Sequence, residues 1–211
     1  MTKVPLARVP PATPLSEAAL SRHLAGVRLP SRSAMLLHVA APGGDTRGES
    51  ADGGGGPVLR QALRALVSHL ASGASDHAGV QHAVCSLAGL GPGLTPTGDD
   101  ILIALVATSR RLADGGLLSP ASADRLAEAV AAIPDGRTTP LAQRLLSETA
   151  RGLFPAPLAC FVEALGNPGV DGDTLSGLAV RLTAVGAHSG ADWLAGTLAL
   201  AGAAVAKGGM A

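Results

Sequence analysis

The sequence predicts a mainly α fold, a compact multi-helix domain with a short irregular or partly β N-terminal region. Three observations carry this expectation. From Val58 onward, apolar residues recur at helical spacing almost without a break. Strand-like patterning is confined to one run, Met35-Leu36-Leu37-His38-Val39. The 211 residues are 47% hydrophobic yet hold one Trp, two Phe and no Tyr, so Ala, Leu, Val, Ile and Gly must build the core. Small residues let helix backbones approach closely, which favours helix-on-helix packing.

In chain order, residues 1–15 are proline-rich and read as an irregular arm, and residues 16–26 as a short helix. The strand candidate follows, then residues 42–57, a glycine-rich stretch expected to form a loop or linker. The expected organisation is therefore a reduced N-terminal region over 1–57 and a helical domain over 58–211. In the second, Leu59, Ala62, Leu63, Leu66, Val67 and Leu70 form one helix face, and Val80, Ala83, Val84 and Leu87 another. Ile101, Leu102, Leu105 and Val106 belong to a third helix, and residues 122–133 to a fourth, ended by Pro134. Thr139-Pro140 pairs an N-cap residue with proline at the first helical position, opening a helix that can run to Gly152. Helices over residues 157–165, 174–185 and 190–206 complete the chain, each of the first two closed by a glycine.

Composition narrows the function classes. Lys+Arg and Asp+Glu balance at 16 each and the basic residues are scattered, so the electrostatic footprint of a nucleic-acid binder is missing. The longest uncharged apolar run, residues 193–206, is shorter than the roughly 18–20 residues a membrane span needs. The N-terminus lacks the apolar segment of a secretory signal. A cytoplasmic location with no membrane partner is expected. Cys85 and Cys160 sit in apolar helical runs without metal-ligand spacing and read as buried free thiols. His69, His77 and His82 form no tight metal motif and are expected to face solvent.

Chemistry concentrates in a pattern that occurs twice. Thr97-Gly98-Asp99-Asp100-Ile101-Leu102 and Ser189-Gly190-Ala191-Asp192-Trp193-Leu194 both read hydroxyl, Gly, any residue, Asp, apolar, Leu. As capping boxes, Thr97 with Asp100 and Ser189 with Asp192 would each satisfy first-turn amides and open a helix. The first copy follows Gly91-Pro92-Gly93-Leu94-Thr95-Pro96, which capping does not require. Gly91 and Gly93 permit positive φ and close backbone approach, so this loop can turn amides toward an anion, with the Thr95 hydroxyl beside them. Asp99, not needed for the cap, is expected to be free to take a proton, hold an amide NH₂ or meet a cation. Two carboxylates in one first turn oppose a simple phosphate, so the ligand expected has an anionic and a donor end. No cofactor is called for, with Mg²⁺ kept open beside Asp99 and Asp100. His188, directly before the second copy, is a candidate proton carrier, although a histidine in a turn is more often merely solvated. Arg137 can offer a guanidinium fork to a carboxylate or phosphate, although a surface arginine in a turn is commoner.

On these residues the chain resembles the AllH-like family, a bacterial domain family that includes the AllH subunit of oxamate carbamoyltransferase in anaerobic allantoin breakdown. The resemblance rests on residues 91–100, on His188-Ser189-Gly190-Ala191-Asp192, and on Ala150-Arg151-Gly152-Leu153-Phe154 with Pro157-Leu158 between them. It spans roughly residues 60–211, whereas members usually carry a larger N-terminal region before the first motif. It implies a transferase subunit moving a carbamoyl group between oxalurate and phosphate, giving oxamate and carbamoyl phosphate, in company with other subunits or further copies of itself. Such a transfer needs donors where oxyanion charge develops and a proton acceptor for the attacking nitrogen. On that reading Asp99, Asp100 and His188 are the catalytic candidates. Gly91, Gly93, Thr95, Thr97, Gly98, Arg137, Ser189, Gly190 and Asp192 are the binding candidates. The alternative is a non-catalytic subunit that binds a small anion or serves as a scaffold while a partner does the chemistry. A third reading, a helical protein in which both repeats are only caps, leaves the GPGLTP loop unexplained.

Overall fold

The computed structural model describes residues 5–9, 14–27, 56–73 and 76–208. Among them are nine helices and one two-stranded antiparallel sheet, so the chain is mainly α. The elements are β1 (Leu6–Ala7), α1 (Glu17–Gly26), α2 (Gly56–Ser72), α3 (His77–Leu87), α4 (Thr97–Asp114), α5 (Pro120–Ala131), α6 (Pro140–Ala150), β2 (Phe154–Pro155), α7 (Ala156–Ala164), α8 (Gly172–Thr183) and α9 (Ser189–Gly208). The strand candidate at 35–39 and most of the glycine-rich stretch lie outside the described residues. The last two residues of that stretch, Gly56 and Pro57, are already the first turn of α2. The sheet lies where the sequence suggested an arm and an interhelical link: Leu6 pairs with Pro155 and Ala7 with Phe154.

Helix α4 is the axis of the molecule. Every residue from Thr97 to Ser109 is buried, so this helix has no solvent face over three turns. Helices α3, α5, α6, α7 and α9 all pack on it, and α9 packs most extensively. Small residues make that contact close. A Cβ at Gly196 of α9 would stand 3.0 Å from the Ala104 Cβ and 3.1 Å from the Ile101 carbonyl oxygen of α4. The few large side chains, Phe154, Phe161 and Trp193, fill the remaining core beside many leucines.

The N-terminal elements pack on the same core. Leu20 of α1 is fully buried in it. The His23 ring ties α1 to the α7–α8 connection, accepting from Gly166 N–H at 3.1 Å while Nε2 lies 3.0 Å from the Val170 carbonyl. Buried Arg111 reaches from α4 to the Pro14 carbonyl at 3.1 Å, and burial holds its pKa below the ordinary arginine value.

Local signals set several helix starts as expected. Ser16 caps α1, and Thr139 accepts from Ala142 N–H with Pro140 at the first position of α6. The capping boxes did not form as read. The N-cap of α4 is Pro96, whose carbonyl takes the Asp99 and Asp100 amides, and Thr97 is already helical. Ser189 is likewise the first helical residue of α9, and its hydroxyl is bonded to Thr95. The cysteines are free thiols, but Cys85 is half-buried and Cys160 exposed, since each falls toward the rim of its helix contact. His77 and His82 face solvent, whereas His69 is half-buried with Nδ1 3.4 Å from Asp76. Among the described residues no helix is long and apolar enough to cross a membrane.

Candidate functional site

The two repeats meet. Each opens a helix that follows a helical hairpin, α3 into α4 and α8 into α9. The second position of the pattern is glycine because a preceding backbone occupies the space a side chain would need. A Cβ at Gly98 would stand 2.0 Å from the Leu87 carbonyl oxygen, and one at Gly190 would stand 1.9 Å from that of Leu182. The same glycines donate their amides to Leu90 at 2.8 Å and Val185 at 3.1 Å, each three residues after the carbonyl just named. The hairpins are therefore local copies, except that the first carries three more residues between that acceptor and its glycine.

Those extra residues belong to the Gly91–Leu94 loop, which is exposed. Gly91 and Gly93 hold φ of +111° and +100°, the positive values their spacing suggested. A Cβ at Gly91 would lie 2.9 Å from the Thr97 amide nitrogen, whereas Gly93 faces open space. The amides of Gly91, Gly93 and Leu94 donate to no backbone carbonyl among the described residues. The Thr139 hydroxyl donates to the Leu94 carbonyl and pins the loop to the start of α6. Leu94 itself is 62% exposed.

Asp99 is held in a closed setting rather than left free. Its carboxylate is fully buried, accepting from Gly89 N–H at 3.0 Å and from the Thr138 hydroxyl. Burial raises its pKa, opposed by the Thr138 and Gly89 hydrogen bonds and the nearby Arg137 charge. Arg137 turns its guanidinium to the Cys85 carbonyl at 2.8 Å, so residues 137–139 clasp the α3–α4 connection. The sequence reading anticipated a ligand for both Asp99 and Arg137. In the structure both hold the chain to itself, and the donors around the Asp99 oxygens make a poor setting for Mg²⁺. Among the described residues no cluster of three or more His, Cys, Asp or Glu is arranged to hold a metal.

Asp100 faces the second repeat. It is fully buried, and its Oδ1 accepts the Trp193 indole N–H at 2.9 Å. The Thr95 and Ser189 hydroxyls, 2.9 Å apart, bridge the two motifs beside it. Burial is the main cause that lifts the Asp100 pKa from 3.8 to about 7. The Ser189, Thr95 and Trp193 hydrogen bonds pull it down, and the charge of Asp192, itself 1% exposed, pushes it up. Asp100 and Asp192, equivalent in the repeat, thus form one acidic pair at the α4–α9 contact. The repeat is asymmetric here: Ile101 stands where the second copy has Trp193, and only the indole carries a donor.

His188 is exposed in the turn before α9, and its carbonyl accepts the Asp192 amide at 3.0 Å. Trp193 and Thr138 were missed as site residues. The sequence held a signal for Trp193, since the chain's single Trp directly follows a repeated Asp, but the pattern counted it only as apolar. For Thr138 there was none, because a tertiary contact between residues 39 apart brings it to Asp99.

No curated protein and no solved structure matches this chain. A family model does, described as oxamate carbamoyltransferase subunit AllH, over residues 87–201, which runs from the end of α3 through both repeats. That match covers more than half of the 211 residues. The chain whose paired repeats converge on Asp100 and Asp192 therefore belongs to the AllH family of oxamate carbamoyltransferase subunits.

Proposed function

We propose that this chain is a subunit of a carbamoyltransferase acting on oxamate, oxalurate or a close analogue with carbamoyl phosphate, and that the site lies where the two repeats meet. The observation that carries the reading is the bridged acidic pair below the glycine loop: Asp100 with a pKa of about 7, Asp192 beside it, and the Thr95–Ser189 hydroxyl pair. Carbamoyl phosphate, oxamate and oxalurate each have an anionic end and an N–H end. The loop amides of Gly91, Gly93 and Leu94 suit the anionic end, and the hydroxyls and the acidic pair suit the other.

In the direction that consumes oxalurate, a phosphate oxygen attacks the carbamoyl carbon, and the C–N bond to the oxamate nitrogen breaks. That nitrogen leaves as a neutral amide only if it gains a proton. An acid with a pKa near the working pH is suited to supply it and to take one back in reverse. Asp100 fits that role, with His188 on the exposed turn relaying protons to solvent. Asp99, Thr138 and Arg137 position the loop. Gly98 and Gly190 set the helix starts that bring Thr95, Asp100, Ser189 and Asp192 together. The test is carbamoyl phosphate formation from oxalurate and phosphate by the chain reconstituted with its partner subunits. Asp100→Asn should lower kcat at least 100-fold with KM little changed. Undiminished turnover in that variant refutes the assignment.

A second reading is favoured by the exposed loop and by Leu94, an apolar side chain at 62% exposure beside it. Here a partner subunit covers the loop and supplies part of the chemistry, while this chain binds the anion. Turnover by this chain alone excludes that reading. Turnover appearing only in the assembled enzyme supports it.

A further inference from the structure

Gly152 and Phe154, from the resemblance motif at residues 150–154, take no part in the site above, yet they line a cavity of about 420 Å³ at the C-terminal end of α4. Two arginines meet there. Arg8 follows β1 directly, and the pairing of Ala7 with Phe154 carries it to the turn after α6. Arg110 approaches the same turn from α4 and donates from Nη2 to the Ala150 carbonyl at 3.0 Å. Gly152, with φ of +82°, lies between them: a Cβ built on it would stand 3.4 Å from the Arg110 Nη1 and 3.8 Å from the Arg8 Nη1. The two guanidinium groups therefore approach one point, left open by the absence of a side chain.

Two like charges brought together disfavour the arrangement unless something negative joins them. Asp114 and Asp124 line the same cavity but are exposed, and neither arginine forms an ion pair within 4.0 Å among the described residues. The Arg110 Nε is buried and donates to no acceptor among those residues. A buried guanidinium N–H without an acceptor is costly, and an arginine fork matches the oxygens of a carboxylate or phosphate. Val9, Ala113, Pro120, Ala123 and Phe154 give the cavity apolar walls, as in sites for small organic ligands. The two aspartates at the rim disfavour an extended polyanion.

We propose that Arg8 and Arg110, closing over Gly152, form a second anion-binding site for a small organic carboxylate or phosphate, distinct from the Asp100–Asp192 pair. It does not depend on the carbamoyl-transfer reading. Calorimetric titration of the full chain with oxalate and with inorganic phosphate, at fixed ionic strength, tests it. At least one anion is expected to show a binding component that is weakened at least tenfold in Arg8→Ala and in Arg110→Gln, separate from any component belonging to the glycine loop. Oxalate alone binding assigns a carboxylate ligand, and phosphate alone a phosphorylated one. Should Arg110→Gln not fold, the exposed Arg8 decides the matter by itself. No binding of either anion, or titrations that Arg8→Ala leaves unchanged, overturn the proposal.

Discussion

The Asp100–Trp193 hydrogen bond makes the ionisation of one buried carboxyl directly observable. The chain has a single Trp, 3% exposed, whose indole N–H donates to Asp100 Oδ1, so its emission reports on that carboxyl. Titration should show a transition with a midpoint near pH 7, the value to which burial lifts Asp100. The same shift bears on stability. A carboxyl whose folded pKa lies above its unfolded one keeps its proton in the folded state where the unfolded chain has lost it, so stability falls as pH rises from about 4 to about 7. A pKa difference of about three, at about 1.4 kcal/mol each, gives a penalty on the order of 4 kcal/mol above pH 7. Roughly 1–2 kcal/mol of it is already present at pH 5. Asp100→Asn removes the ionisation, so urea unfolding should show the variant gaining about 2–3 kcal/mol on the native chain between pH 5 and pH 8. The emission transition should vanish in Asp100→Asn and persist in His188→Ala, which removes the exposed imidazole of the turn before α9. A midpoint near pH 4, or a transition of equal size in Asp100→Asn, would refute the claim that burial and Asp192 hold a proton on Asp100.

Other consequences concern packing and assembly. Gly98→Ala and Gly190→Ala each drive a Cβ into a backbone carbonyl at about 2 Å, and should lose about 2–4 kcal/mol in urea unfolding. Gly202→Ala, on α9 with nothing within 4 Å, should instead gain about 0.5–1 kcal/mol in the same assay. Asp99→Ala strands the Gly89 amide and the Thr138 hydroxyl, and should lower the unfolding free energy by about 2 kcal/mol, read as a lower urea midpoint. An unchanged midpoint would mean the clasp contributes nothing. Leu94→Ser should leave the isolated chain's stability within about 0.5 kcal/mol. If a partner subunit covers the loop, the same change should weaken association about tenfold in a pull-down titration.

Where the fold could be read from sequence, the information was local. Apolar spacing in Leu59–Leu70 or Val80–Leu87 reports a buried face directly, and Thr139-Pro140 marks a helix start by its own chemistry. The capping boxes failed for the opposite reason. Thr97 and Asp100 satisfy the local pattern, yet the Pro96 carbonyl takes the amides and a side chain 93 residues away takes the carboxylate. Tertiary contacts outbid a cap worth about 1 kcal/mol. The same limit reversed the two acids of the first motif. Sequence alone suggested that Asp99 was spare and Asp100 engaged, but Thr138 and Gly89 close around Asp99 while Asp100 turns toward Asp192.

The duplicated hairpin explains why this acidic pair can exist. Two equivalent aspartates, one from each copy, come together only because Gly98 and Gly190 let both helix starts seat on the preceding carbonyls. Perfect symmetry would leave each carboxyl with the same neighbours and would share the burial cost equally. The chain departs from symmetry twice, with Trp193 opposite Ile101 and with the longer loop of the first copy, and both departures fall around Asp100. One member thus receives an indole donor and lies below the exposed glycine turn, while its counterpart supplies the charge that disfavours ionisation. Ile101→Trp tests how far that asymmetry sets the site. Because Ile101 is fully buried against Gly196, the added volume should destabilise the chain, whereas Trp193→Phe should remove the donor at nearly constant volume. Loss of a donor to the charged form raises a carboxyl pKa. Trp193→Phe should therefore move the pH midpoint of turnover in the reconstituted enzyme upward, and a midpoint that stays put would mean the indole is packing and nothing more.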